Sequence, residues 1–208
     1  MELKAHLSIP ESPIGCLVVV HENRGLDDHI RDVANRFASE GFAVAAPDYL
    51  CPIGGSVADV DTNIANIKDV SREQVTEISR YWLNSLTKLT TINNQSILGF
   101  CWGGGVVNHC ATQINELKKA VMFYGTAPDP SQIDNIRASL QLHYAENDER
   151  INAGRDDYIK ALEKVAVSHE AFIYDGAGHA FFNDTREDRY HQSSAELAFK
   201  RALAFLRD

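Results

Sequence analysis

The stretch Gly99-Phe100-Cys101-Trp102-Gly103 decides how we interpret this sequence. It lies where a predicted apolar strand over residues 95–100 ends and a predicted helix over residues 102–113 begins. Glycines two positions before and after a cysteine are the pattern of a nucleophile elbow, a strained turn that exposes the nucleophile and leaves no room for a Cβ on either side. With 13 Gly and 4 Cys in 208 residues, chance gives this pattern in about 0.015 of such chains. The alternative is a buried cysteine in a Gly-rich turn.

Outward from this stretch, short apolar runs alternate with helical periodicity. This alternation is typical of βαβ units and predicts an α/β fold with a mostly parallel central sheet and helices on both faces. The apolar run at residues 42–46 predicts a strand buried on both faces. The other strands are predicted at residues 15–20, 119–124, 141–144 and 170–174, and the other helices at residues 29–40, from 71 onward, at 156–167 and at 193–206.

Residues 50–70 interrupt this pattern. They contain Pro52, Gly54 and Gly55 and show no clear period, so we predict an irregular segment that crosses the edge of the sheet. Its length makes it a candidate lid. No repeat or linker divides the chain, and we expect one domain over residues 1–208.

Composition and charge narrow the function classes. Hydrophobic residues make up 44% and charged residues 24%, which excludes a disordered or coiled-coil chain. The net charge is −9 without a Lys/Arg cluster, so nucleic acid and anionic membranes are poor partners and a small molecule is the expected one. No apolar run approaches the roughly 20 residues of a spanning helix. Residues 1–6 lack the features of a signal peptide, which makes the cytoplasm the default location.

The remaining cysteines and histidines indicate neither a disulfide framework nor a metal. The four cysteines, at positions 16, 51, 101 and 110, are expected to be reduced because a chain of this length builds its own core. The histidines other than His179 have no metal-ligand spacing, and His109-Cys110 is interpreted as core packing. We therefore predict no metal and no cofactor, and a monomer or a homodimer.

Three side chains are predicted to meet at the carboxyl edge of the sheet. A helix that begins at Trp102 points its free N–H groups at Cys101, which favours the thiolate. A nucleophilic thiolate needs a base and an orienting acid, and after such an elbow the acid precedes the histidine in the chain. Asp148 and His179 each follow a predicted strand in that order. Parallel strands place their carboxyl ends at one edge, where ligands bind.

Other interpretations of these residues remain. Glu146 and Glu149 compete with Asp148 for the role of the acid. A loop histidine with a structural role is the alternative for His179, although the flanking Gly176 and Gly178 allow a sharp turn that presents the ring.

Together these motifs resemble those of the dienelactone hydrolase family, carboxymethylenebutenolidase-like enzymes of the α/β-hydrolase fold. The resemblance spans roughly residues 15–206. It is carried by the residues around the elbow and the histidine, and by an upstream unit: Gly99 to Gly105, Asp148, Gly178-His179-Ala180-Phe181, Glu22-Asn23-Arg24-Gly25-Leu26, Gly41-Phe42 and Ala46-Pro47-Asp48. It implies the α/β-hydrolase fold and hydrolysis of a small ester or lactone through an acyl-thioester intermediate.

The resemblance also implies individual roles. Cys101 is the nucleophile, His179 the general base and Asp148 the acid that orients it. Glu22 is a carboxylate close to the resting thiol, where it would raise the pKa of the thiol and keep the nucleophile dormant. From its sequence position alone, Glu22 could equally be a solvated loop acid.

The sequence also offers candidates for contacts to the oxyanion and to the substrate. Backbone N–H groups of Trp102 and Asn23 are the expected oxyanion donors. Arg24 and Arg72 could bind a substrate carboxylate or be surface charges. Three further aromatic residues are candidates for an apolar pocket or for the core, namely Tyr49, Tyr124 and Phe181.

The sequence also allows two other function classes. One is a non-catalytic binding or thiol redox-sensing protein that uses Cys101 on a hydrolase fold. A sensor needs no acid–histidine pair, which speaks against this class. The other is phosphate or dinucleotide binding by Gly103-Gly104-Gly105, which lacks the Lys-Ser/Thr and the G-x-G-x-x-G that such sites use.

Overall fold

A seven-stranded sheet forms the centre of the protein, which we describe from a computed structural model over residues 2–208. The strand order is β1-β3-β2-β4-β5-β6-β7. Only β1 runs antiparallel to its neighbour, and every other pair is parallel. The strands are β1 Ala5–Ser8, β2 Gly15–Val20, β3 Phe42–Pro47, β4 Gln95–Phe100, β5 Lys119–Phe123, β6 Ser139–Asn147 and β7 His169–Gly178.

Helices cover both faces of this sheet, as the alternating sequence pattern predicts. They are α1 Asp28–Ser39, α2 Val60–Asn66, α3 Arg72–Thr90, α4 Trp102–Gln113, α5 Glu149–Asn152, α6 Arg155–Lys164 and α7 Gln192–Arg207. Apolar side chains of α3, α4 and α6 pack on one face, and those of α1 and α7 pack on the other. The mostly parallel α/β architecture is therefore confirmed.

The central strand β2 shows why its sequence is uniformly apolar. Val18 packs on the face covered by α3 and α4, while Leu17 and Val19 pack on the face covered by α1 and α7. All of its residues are buried. A parallel strand between two helical layers has no solvent side, so it cannot show the alternation of a half-exposed strand.

Side chains cap the first turns of two helices. The Asp27 side chain accepts a hydrogen bond from the backbone N–H of Ile30 (3.1 Å), at the start of α1. Ser71 and Gln74 form the reciprocal capping box that begins α3. Side-chain acceptors satisfy backbone donors that a helix leaves free at its first turn, which explains why both starts are readable from sequence.

The prediction of an irregular segment over residues 50–70 is wrong in part. The segment contains α2 and two short 3-10 turns, Cys51–Ile53 and Ile67–Asp69. Helix α2 has only Asn63 fully buried, so it lacks the apolar stripe that reveals a helix in sequence. Strand β1 was not predicted either, because a short, partly exposed edge strand has no continuous apolar run.

Four of the predicted site residues lie beyond the carboxyl ends of parallel strands. Glu22 follows β2, Cys101 follows β4, Asp148 follows β6 and His179 follows β7. The sheet thus brings residues from four strands to one edge. Among residues 2–208, no helix is both long enough and apolar enough to cross a membrane.

Candidate active site

The turn between β4 and α4 holds Cys101 in a strained conformation. Its φ is 55° and its ψ is −115°, a region that residues other than glycine rarely adopt. A Cβ on Gly99 would lie 2.5 Å from the carbonyl oxygen of Gly103, and one on Gly103 would lie 2.4 Å from that of His21. Both glycines are therefore required by close backbone contacts, as the elbow pattern predicts.

His179 lies between the thiol and a carboxylate. Its Nε2 is 3.0 Å from Sγ of Cys101, and its Nδ1 is 2.5 Å from Oδ2 of Asp148. The other carboxylate oxygen of Asp148 accepts a hydrogen bond from the backbone N–H of Ile151 (3.4 Å), so Asp148 also caps α5. The fold thus brings together three residues that are far apart in the sequence. We call this set, Cys101, His179 and Asp148, the His179 hydrogen-bonded chain.

The two hydrogen bonds of the ring set its charge. Burial acts to lower the pKa of His179, but the hydrogen bonds to Asp148 and Cys101 outweigh burial and raise this pKa to about 9. Burial acts to raise the pKa of Asp148, and the bond to His179 outweighs it and lowers that pKa. The raised pKa of His179 and the lowered pKa of Asp148 both favour an imidazolium–carboxylate pair.

The two competing acids, Glu146 and Glu149, do not contact the His179 ring through a hydrogen bond. Glu146 is exposed, and its Oε2 accepts a hydrogen bond from the backbone N–H of Gly176 (2.7 Å), in the segment that leads to the histidine. Glu149 is exposed at the first position of α5. Neither hydrogen-bonds to His179, so Asp148 alone orients the ring.

Glu22 is buried and lines the same cavity as Cys101, but it is not bonded to the thiol. Only 4% of its surface is exposed, and its Oε2 accepts a hydrogen bond from Nδ2 of Asn183 (2.8 Å). Its Oε1 has no hydrogen-bond partner within residues 2–208. Burial raises the pKa of Glu22. The thiol is paired with His179, and Glu22 lines the same cavity without a hydrogen bond to the thiol.

Asn183 is a site residue that the sequence analysis did not find. It is fully buried, four positions after His179, and fixes one oxygen of Glu22. Its own Oδ1 accepts hydrogen bonds from the N–H and the hydroxyl of Thr185 (3.1 and 2.7 Å). The spacing from His179 is the only signal in the sequence that could have indicated it.

The two expected oxyanion donors lie beside the thiol. Trp102 is the first residue of α4, where the backbone N–H has no acceptor inside the helix. The N–H of Asn23 donates to no group within residues 2–208. Both residues line a cavity that also contains Cys101. Two free donors next to a nucleophile are the arrangement that stabilises an oxyanion.

Two cavities meet at Cys101. One, of about 340 Å³, is lined by Ile67, Arg72 and Arg150 among others. The other, of about 290 Å³, contains Glu22 and His179 and is lined by four arginines, namely Arg24, Arg150, Arg186 and Arg189. A larger cavity of about 970 Å³ lies against the N-terminal residues and contains no member of the His179 hydrogen-bonded chain. We assign the site to the two cavities that share the thiol.

These residues match a known family over almost the whole chain. The model of the dienelactone hydrolase family matches residues 3–208. The chain belongs to the dienelactone hydrolase family. A protein of Saccharolobus solfataricus, provisionally named a carboxymethylenebutenolidase, is 31% identical over 99% of this chain and 94% of its own length. A similarly named protein of Aquifex aeolicus is 27% identical over 100% of this chain and 94% of its own.

Solved structures agree on the fold of this dienelactone hydrolase family member. A Klebsiella pneumoniae protein, provisionally named a dienelactone hydrolase, superposes with a TM-score of 0.87 at 24% identity, over 99% of both chains. The fold is therefore that of the α/β-hydrolases.

Two aromatic candidates for the substrate pocket lie in the core instead. Tyr49 is fully buried, and its hydroxyl is hydrogen-bonded to that of Ser79 (2.7 Å). Phe181 is fully buried and packs against Tyr174 and Tyr124. Neither lines a cavity that contains the thiol. Of the two alternatives for these residues, the structure has the core, because an aromatic side chain at a strand end also packs well between two helical layers.

Tyr124 contacts His179 without lining either cavity. Its ring is 5.2 Å from that of His179, edge to face. Its hydroxyl is buried and has no hydrogen-bond partner within residues 2–208. Burial, followed by the nearby charge of Glu22, raises the pKa of Tyr124 well above its usual value.

The segment 50–70 contributes apolar side chains to the site. Ile64 of α2 lines the cavity with the four arginines, and Ile67 lines the other. Its role as a lid stays a prediction. All four cysteines are free thiols, and no three His, Cys, Asp or Glu side chains in residues 2–208 are grouped as metal ligands.

Proposed function

We propose that this protein hydrolyses a small carboxylic ester or lactone by covalent catalysis at Cys101. One observation carries the proposal. The His179 ring is 3.0 Å from the Cys101 thiol and 2.5 Å from the Asp148 carboxylate. Cys101 lies on a strained elbow, and two free backbone donors, those of Trp102 and Asn23, line its cavity. This geometry joins a nucleophile, a base and an orienting acid.

The first half of the reaction forms an acyl-enzyme. The Cys101 sulfur, having given its proton to Nε2 of His179, attacks the substrate carbonyl carbon and forms a C–S bond. The carbonyl electron pair moves to oxygen, where the N–H groups of Trp102 and Asn23 stabilise the negative charge. The C–O bond to the leaving group then breaks, and the leaving oxygen takes the proton from His179. The product is a thioester on Cys101.

The second half releases the acid. His179 removes a proton from a water molecule, and the water oxygen attacks the thioester carbonyl. The same two donors stabilise the second oxyanion. The C–S bond breaks, the sulfur leaves as a thiolate, and the imidazolium faces it again. Thiolate is expelled more easily than a poor alkoxide or an amine, so enol esters suit this site and amides do not.

We further propose that the substrate carries an anionic group. The protein has a net charge of −9, yet Glu22 is the only acid among the residues that line the cavity with four arginines. Arg186 and Arg189 are paired with Asp188, and Arg24 lies 3.9 Å from Asp27. Arg150 makes no ion pair within residues 2–208 and lines both cavities. Arg150 is therefore our candidate for binding a substrate carboxylate.

The experiment compares wild type with Cys101→Ala and His179→Ala on p-nitrophenyl acetate and on a dienelactone. We expect both variants to lose at least about 1,000-fold in kcat/KM, because the nucleophile and its base act as one unit. Cys51→Ala is the matched control, since Cys51 is the other partly exposed thiol and lies outside both cavities. Mass spectrometry of rapidly quenched enzyme should show one acetyl group on Cys101.

Two outcomes would contradict this function. If Cys101→Ala is as active as wild type, the covalent mechanism is wrong. If wild type hydrolyses neither substrate while Cys101 is oxidised reversibly by peroxide, the redox-sensing alternative replaces it.

A further inference from the structure

His21 is a buried histidine outside the His179 hydrogen-bonded chain. It follows β2 directly and precedes Glu22, and none of its surface is exposed. Its ring stacks on the indole of Trp102, with centroids 5.5 Å apart, and meets the ring of Tyr49 edge to face. It lines neither cavity that contains the thiol. The ring thus cannot touch a substrate, although it contacts the turn that holds the nucleophile.

Two backbone partners fix the protonation of this ring. Its Nε2 is 3.1 Å from the backbone N–H of Tyr49, a group that can only donate. Its Nδ1 is 2.6 Å from the carbonyl oxygen of Glu22, a group that can only accept. The ring must therefore be neutral, with its proton on Nδ1. Burial lowers the pKa of His21, in agreement with this assignment.

The bond to the Glu22 carbonyl orients the next peptide group. That carbonyl and the N–H of Asn23 belong to the same peptide unit, which is planar and trans. In a trans peptide the C=O and the N–H point in opposite directions. A hydrogen bond that holds the carbonyl against His21 therefore turns the N–H of Asn23 away from the core. Asn23 lines both cavities that contain Cys101.

The same side chain supports the second oxyanion donor. The imidazole lies nearly parallel to the indole of Trp102, with an angle of 18° between the ring planes. On the backbone side, the His21 carbonyl contacts Gly103 so closely that a Cβ there would lie 2.4 Å away. His21 is thus packed between the loop after β2 and the elbow after β4.

We infer that His21 is a positioning residue for the oxyanion hole, acting through its Nδ1–H bond to the Glu22 carbonyl on the N–H of Asn23. This inference rests on the proposed hydrolase function, and it adds a residue that neither attacks, transfers a proton nor contacts substrate. The hydrogen bond from the Tyr49 N–H to Nε2 has a separate role, which is to hold the ring in place.

A pair of substitutions separates the two bonds. In His21→Asn, the amide N–H₂ can occupy the place of Nδ1 and donate to the Glu22 carbonyl, while the acceptor for Tyr49 is lost. In His21→Gln, the amide oxygen can occupy the place of Nε2 and accept from Tyr49, while the donor to Glu22 is lost. We expect His21→Gln to lower kcat on p-nitrophenyl acetate by about 10- to 100-fold at nearly unchanged KM, and His21→Asn to stay within about 5-fold of wild type.

Alkylation of Cys101 by iodoacetamide distinguishes a mis-aimed oxyanion hole from a damaged fold. Alkylation needs the thiol and His179 but forms no oxyanion. We expect the alkylation rate of His21→Gln to match that of wild type while its acylation rate falls. Equal losses in both variants, a larger loss in His21→Asn, or a matching loss of alkylation would each overturn the inference. If Cys101→Ala retains full activity, it is the proposed function that fails instead.

The tautomer of His21 can be measured directly in the wild-type protein, so this test does not depend on whether a variant folds. Long-range ¹H–¹⁵N correlation spectra distinguish the two neutral histidine tautomers and the imidazolium. We expect the spectrum of His21 to show the Nδ1–H tautomer from pH 6 to pH 8. The Nε2–H tautomer or an imidazolium in that range would overturn the inference, because neither can donate to Glu22 and accept from Tyr49 together.

Discussion

At the scale of single residues, His179 is controlled by the groups at its two ring nitrogens. Asp148 is nearly buried and can only accept in its ionised form, so it holds the proton on Nδ1 and leaves Nε2 facing the sulfur. The ring also rests against Tyr124, which limits its rotation. The Asp148 carboxylate therefore sets the orientation of the His179 ring and the nitrogen that faces the sulfur, and together with Cys101 it raises the pKa of the ring.

Replacement of the Asp148 carboxylate by an amide keeps the size of the side chain but removes its negative charge. In Asp148→Asn we expect kcat/KM to fall roughly 100- to 10,000-fold, because the amide can stabilise the wrong tautomer and cannot balance an imidazolium. NMR titration should show the pKa of His179 falling from about 9 toward its ordinary value of 6.5. Glu149→Gln, one residue away and exposed, is the control and should change neither quantity. An unchanged His179 titration in Asp148→Asn would contradict the assigned role.

At the scale of secondary-structure elements, the site depends on where strands and helices end. Cys101 lies between β4 and α4, and Asp148 lies between β6 and α5. Because the strands are parallel, these junctions share one edge of the sheet. The elbow also needs β2 and α4 to approach so closely that Gly103 contacts the His21 carbonyl.

A methyl group at Gly103 should therefore push β2 and α4 apart. We expect Gly103→Ala to lower the free energy of unfolding by about 3 kcal/mol or more, since the new Cβ meets rigid backbone rather than a flexible side chain. Gly154→Ala is the control, because a Cβ there has no neighbour within 4 Å and φ is −103°. We expect it to stay within about 1 kcal/mol of wild type in urea unfolding. Equal stabilities of the two variants would show that the elbow is not tightly packed.

At the scale of the whole molecule, a buried charge in the site lowers the free energy of unfolding. Glu22 is a buried carboxylate in the cavity that contains Cys101, with one oxygen that has no hydrogen-bond partner within residues 2–208. Burial raises its pKa, so the folded protein binds a proton here more tightly than the unfolded chain does. The ionised form consequently lowers stability at neutral pH. Functional sites often carry such a cost.

Removal of this charge should stabilise the protein in a pH-dependent way. We expect Glu22→Gln to raise the free energy of unfolding by about 0.5–2 kcal/mol at pH 7. The gain should shrink toward zero below the ordinary glutamate pKa of 4.5, where Glu22 is neutral in both states. Urea unfolding of both proteins from pH 4 to pH 8 tests this. Glu77→Gln, on an exposed helix position, should change stability by less than about 0.5 kcal/mol. A destabilised Glu22→Gln at pH 7 would contradict the interpretation.

Much of the site could be predicted because its signals are local. The elbow needs glycines at fixed positions on both sides of Cys101, and these glycines are only two residues away in the sequence. Asp148 and His179 could be found because each follows directly on a strand with a recognisable apolar run. The resemblance to the dienelactone hydrolase family added Glu22, which from its sequence position alone could equally have been a solvated acid.

By itself, then, the sequence determined the α/β class, the strands that carry the site, the elbow, and the acid and histidine that follow their strands. Only the tertiary structure decided that Asn183 bonds to Glu22, that Arg150 lines both cavities, and that Tyr49 belongs to the core. The physical reason is sequence separation. A turn or a helix cap is made by neighbours within a few residues, whereas the Glu22–Asn183 contact joins residues 161 positions apart. The packing of the whole sheet selects such a contact, and no short stretch of chain encodes it.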